Sequence, residues 1–122
     1  MNITAEEKGD KTLISLKEER IDAHNSLELK DFLQKLLENG RTLLIVDLTP
    51  VRFIDSSGLG ALLSGYKNAN LRQGHLVLTG LQPRVHSMFE LTRLHRVFEI
   101  YPSLDEALAA SHEGNPNAAN RH

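Results

Sequence analysis

The stretch TLLIVDL at positions 42–48 is apolar without alternation. A strand with one wet face alternates; an unbroken apolar run needs cover on both faces. Such a strand belongs in the middle of a sheet flanked by helices, so its neighbours must supply helices with one apolar face. They do. Leu29, Phe32, Leu33, Leu36 and Leu37 make a helical stripe ahead of it. Asn25 stands three residues before Glu28, which predicts a capping box at the start of that helix, and Asn39-Gly40 ends it.

The rest of the chain repeats the theme. Residues 2–7 and 12–17 read as two strands around a Lys8-Gly9-Asp10 turn. Leu59, Leu62, Leu63 and Tyr66 recur at helical spacing, and that helix ends near Arg72-Gln73-Gly74. HLVLTGL supplies another strand. Pro83 suits the first turn of a third helix whose Val85, Met88 and Phe89 face the core. VFEIY reads as a short edge strand, and Ser103 to Glu106 as a second capping box opening a helix with Leu104, Ala107 and Leu108. Strands alternating with helices predict one α/β domain, a mixed β-sheet with packed α-helices, over residues 1–111. Residues 112–122 have no apolar face and are expected to be a disordered polar tail.

Composition narrows the function. The net charge of −2 lacks the basic stripe of a nucleic-acid binder, and with no cysteine there is no thiolate metal site or cysteine nucleophile. No apolar run is long enough to cross a bilayer, and the charged N-terminus has no signal core; a soluble, cytoplasmic protein is expected. The histidines, among them His24, His75, His86 and His95, are scattered rather than set at zinc-ligand spacing. Asp47 ends an apolar strand as a receiver-domain phosphoacceptor does, but the early acidic pair that would hold magnesium is missing.

One junction stands out. Asp55-Ser56-Ser57-Gly58-Leu59-Gly60 opens the second helix with two glycines, each costing about 1 kcal/mol relative to alanine inside a helix. It is no nucleotide loop. The dinucleotide fingerprint needs glycine where Leu63 stands, and the phosphate loop needs lysine where Tyr66 stands. The Gly-x-Ser-x-Gly elbow of serine hydrolases is absent as well. Two readings of Ser56 and Ser57 remain. In one they merely help cap the helix. In the other, small residues at 58 and 60 let a partner approach a hydroxyl at a helix start that favours an anion.

FIDSSGLGALL resembles the signature of STAS domains of the anti-sigma factor antagonist type. RIDAHN resembles the segment before that family's first helix, and MFELTRLHRVFEIYPSLDEAL its C-terminal third, so the likeness spans roughly residues 2–110. The resemblance implies a regulatory domain with no catalytic activity, no cofactor and no metal of its own. It implies phosphorylation of Ser56 by an anti-sigma factor serine kinase, which brings the ATP and magnesium, and removal of the phosphate by a PP2C-type phosphatase. The unmodified form would bind the anti-sigma factor and free sigma. A partner-binding surface of Asp22, Asp55, Ser56, Ser57, Gly58, Leu59 and Gly60 is expected, with no nucleic acid or membrane as partner. The same kind of domain also serves as a subunit or scaffold in lipid-transport and stressosome assemblies, the alternative reading. Glu19 and Arg93 depart from the pattern, standing where many relatives have glycine.

Overall fold

In a computed structural model, which describes residues 1–110, β1 (Ile3–Lys8) and β2 (Lys11–Leu16) form an antiparallel hairpin. The chain then makes a two-residue strand, β3 (Arg20–Ile21), before α1 (Ser26–Glu38) and β4 (Leu43–Asp47). A second two-residue strand, β5 (Phe53–Ile54), leads into α2 (Ser56–Leu71). After β6 (His75–Thr79) come α3 (Pro83–Leu91), a 3-10 turn at Leu94–Arg96, β7 (Glu99–Tyr101) and α4 (Leu104–Ala109). The main sheet has the order β1-β2-β4-β6-β7, parallel throughout except for the first hairpin. The expected polar tail lies outside the described residues.

The continuous apolar run takes the place its pattern demands. On one face of the sheet Leu44 and Val46 join Ile14, Leu76 and Leu78 under α1, α2 and α3. On the other, Ile45 joins Leu13 and Val77 beneath Ala107 of α4, with Leu104 and Leu108 packed at the side. Burying a side chain such as Leu33 or Ile45 contributes about 1.5–3 kcal/mol each, so this two-sided core dominates stability. Gly65 lets the layers close, because a Cβ there would stand 2.8 Å from Leu33 Cδ1 and 3.0 Å from Leu76 Cδ1. Phe98 completes the core beside Tyr66 and Phe89, with ring centroids 5.2 and 5.6 Å away.

Four local expectations change. Asn25 occupies the cap position of α1 but does not bond the helix's first amides. Its Oδ1 instead accepts from Asp22 N and its Nδ2 donates to the Arg20 carbonyl, so it braces the preceding loop. Glu28, freed from the box, pairs with the Met1 ammonium at 2.9 Å. The last edge strand is shorter than expected: Val97 and Phe98 belong to the turn before it. β3 and β5 form a separate parallel ladder that no periodicity announced. The second capping box forms in its first half, with Ser103 Oγ accepting from Glu106 N at 3.2 Å.

Candidate functional site

The small ladder is what builds the Ser56 region. Arg20 pairs with Phe53 and Ile21 with Ile54, and both isoleucines are buried. Glu19 O accepts from the amides of Arg52 and Phe53, and Ile21 O accepts from Asp55 N at 3.1 Å. The alternation along a strand turns the isoleucines inward and the Arg20 and Phe53 side chains outward. There the Arg20 guanidinium lies over the Phe53 ring, 4.2 Å from its centroid.

Asp55 turns the ladder into a helix. Its backbone is extended, its carboxylate accepts from Gly58 N at 3.0 Å and its carbonyl from Leu59 N at 2.9 Å. This is an N-cap bond, which satisfies an amide that the helix itself leaves without a partner. With Asp55 as cap, Ser56 becomes the first helical residue and is exposed, while Ser57 is half-buried. The hydroxyl of Ser56 therefore faces solvent at the positive end of a long helix, where backbone amides and the helix dipole favour an incoming anion. Both readings of the serines are sharpened: the capping belongs to Asp55, and Ser56 is left free of that duty.

The two glycines separate. Gly58 is buried, and a Cβ there would stand 2.7 Å from Ile54 Cγ1, 2.8 Å from Ile21 O and 2.9 Å from Ile21 Cγ2. Its bareness seats α2 on the β3–β5 ladder; it clears no room for a partner. This corrects the expectation that Gly58 contributes to an exposed helix start, and Leu59, also buried, likewise faces the core. Gly60 is different. It is exposed, nothing lies within 4 Å of the position its Cβ would take, and it sits one turn beyond Ser56 on the same side. Beyond it an open groove of about 360 Å³ runs along α2, lined by Gly60, Leu63, Ser64, Lys67, Asn68 and Leu71.

Asp22 follows β3 as Asp55 follows β5, which brings the two carboxylate-bearing residues to the same end of the ladder. Asp22 Oδ1 accepts from His24 N at 3.0 Å, and its carbonyl accepts from the amides of Asn25 and Ser26. The His24 amide, and then the Arg20 side chain at 3.5 Å, hold the Asp22 carboxyl below its ordinary value against a desolvation effect in the opposite direction. Sequence reasoning placed Asp22 here by resemblance alone and missed Arg20 and Phe53. An arginine and a phenylalanine each next to an isoleucine, Arg20-Ile21 and Phe53-Ile54, were the available signal. Among the described residues no group of three His, Asp or Glu side chains is placed to hold a metal ion. No described helix is long and apolar enough to cross a membrane.

The α/β domain thus carries a capped, glycine-bearing helix start that displays the Ser56 hydroxyl. The STAS domain family model matches residues 2–107, and the chain belongs to that family. Its relatives refine the assignment to the anti-sigma factor antagonists, regulatory binding proteins rather than enzymes. The anti-sigma-B factor antagonist of Listeria monocytogenes serovar 1/2a is 38% identical over 80 residues, covering 66% of this chain and 70% of that one. The crystal structure of an anti-sigma factor antagonist from Mycobacterium paratuberculosis shares the fold with a TM-score of 0.82 at 24% identity, over 92% of this chain and 94% of that one. SpoIIAA, the Bacillus cell fate determinant and anti-sigma factor antagonist, has been solved both unphosphorylated and phosphorylated. Each form matches with a TM-score of 0.68, at 19% and 20% identity, over 86% and 88% of this chain and 92% and 96% of theirs.

Proposed function

We propose that the chain is a phosphorylation-gated anti-sigma factor antagonist whose switch is Ser56. In the unmodified form the surface around Asp22, Asp55, Ser56, Ser57 and Gly60 binds an anti-sigma factor serine kinase, releasing the sigma factor and so regulating transcription in the cytoplasm. The kinase then transfers the γ-phosphoryl group of its ATP to Ser56. The Oγ–P bond forms as the bond to ADP breaks, and the hydroxyl proton passes to a base on the kinase. The phosphate weakens the complex, and a PP2C-type phosphatase restores the binding form.

The observation that carries this reading is the division of labour at the start of α2. Asp55 caps the helix through Gly58 N, so Ser56 is exposed and left available. The existence of a phosphorylated form of SpoIIAA, a protein of the same fold, supports the same reading. Phosphopeptide mass spectrometry after incubation with a purified anti-sigma factor kinase and ATP tests it. The phosphate is expected on Ser56, and a dominant mark on Ser57 would sink the assignment. Ser56→Ala should abolish labelling while keeping the complex, because alanine removes the acceptor without adding charge.

A further inference from the structure

A second charged surface lies on α3, which packs against β5, and on the turn that follows it. Between Pro83 and Arg96 the chain carries Arg84, Arg93 and Arg96 but only one acid, Glu90, although the protein as a whole has a net charge of −2. Glu90 faces His86 at 3.6 Å, and among the described residues none of the three arginines is held in an ion pair. All three are exposed. Leu91 sits two turns along α3 from Arg84 on the same outward side and is 78% exposed; Val97, just after Arg96, is 38% exposed. Arg93 also holds a left-handed backbone, φ 64°, which is strained for a residue with a side chain.

We infer that the outward face of α3 and the Leu94–Arg96 turn is a docking surface for an acidic segment of a protein partner, one with an apolar side chain to cover Leu91. The inference rests on the proposed partner-switching function, and the partner is the anti-sigma factor kinase. The inward face of α3 packs against β5, the strand that leads into Ser56, which ties the two segments into one part of the fold. Charge complementarity selects the occupant: unpaired arginines with an exposed leucine among them match alternating acidic and apolar groups. Nucleic acid fits less well, because three cations on a net acidic chain release few counterions.

The test uses the full-length chain and a purified anti-sigma factor kinase. The triple reversal Arg84→Glu, Arg93→Glu and Arg96→Glu should weaken the complex about tenfold or more at low salt, with the difference shrinking at high salt. A photo-crosslinking residue in place of Leu91 should capture an acidic peptide of the kinase. Arg93→Gly separates binding from folding, since it should weaken the complex while raising the melting temperature. A triple variant that binds like the wild type, or a crosslink to a basic peptide, overturns this inference and leaves the Ser56 switch standing. Loss of binding to an anionic vesicle or a short DNA duplex, with kinase binding unchanged, overturns it in favour of those partners. If the unmodified wild type forms no complex with the kinase, both readings fall.

Discussion

The Gly58 amide donates to the Asp55 carboxylate at 3.0 Å while the Gly58 Cα faces the Ile21 carbonyl so closely that a Cβ would stand 2.8 Å from that oxygen. One residue thus receives the cap and seats the helix. Gly58→Ala should destabilise the fold by about 1–3 kcal/mol despite alanine's better helix propensity, because a backbone oxygen cannot move aside cheaply. For a domain of this size each kcal/mol lowers the melting temperature by roughly 3–6 °C, which calorimetry reads directly.

Gly60→Ala should do the reverse to stability. With open space around it, the substitution should gain up to about 1 kcal/mol of helix propensity. If Gly60 lies in the kinase interface, the same variant binds less tightly, measured by titration calorimetry. A stabilised variant with unchanged affinity would remove Gly60 from the interface.

Asp55→Ala should cost about 1 kcal/mol, the usual loss for a helix cap, and Asp55→Asn a few tenths at most because its side-chain oxygen still accepts from Gly58 N. Thermal melts compare the two. A full loss in Asp55→Asn would mean that the charge, not the hydrogen bond, holds the start of α2.

Asp22 gives a pH signature. Its folded value lies below the ordinary 3.8, mainly through the His24 amide. Because the folded value is depressed, its stabilisation is complete above the unfolded value and disappears as pH falls through the lower folded one. The difference in melting temperature between wild type and Asp22→Ala should therefore be constant at neutral pH and narrow only in the acid range below about pH 4. A difference that instead changed near neutrality would show that the Asp22 carboxylate is not the group responsible.

Phosphorylation should leave the fold intact. A phosphate on Ser56 adds about −1.5 to −2 charges at the positive end of α2, a gain of about 0.3–1 kcal/mol that the Asp55 carboxylate next door offsets. The modified chain should melt within a few degrees of the unmodified one while losing two or more decades of affinity, which needs only about 3 kcal/mol at the docked surface. A broad shift of core amide signals on phosphorylation would show a conformational switch instead.

Long, periodic elements were legible in the sequence because burial writes its period into many residues at once. α1 and the two-faced β4 came out within a residue or two of their expected bounds. β3 and β5 did not, since two residues carry no period and their pairing is decided by distant partners. The same distance hid the role of Gly58, whose neighbours Ile21 and Ile54 lie in different parts of the chain until folding joins them. Asn25 carried the right residue type for a cap, but the amide of Asp22 and the carbonyl of Arg20 claimed its side chain. Arg93 gave no hint of its left-handed backbone, because an arginine carries no local signal for a positive φ.

The ladder between Ile21 and Ile54 joins segments that α1 and β4 separate in the chain, so it is a long-range contact. Closing such a long loop is paid for late, after local contacts have formed. Nascent or damaged chains would display the DSSG tetrapeptide without the frame that aims it. A kinase that reads the frame as well as the tetrapeptide would pass over such chains, and only molecules that have completed folding would enter the regulatory circuit.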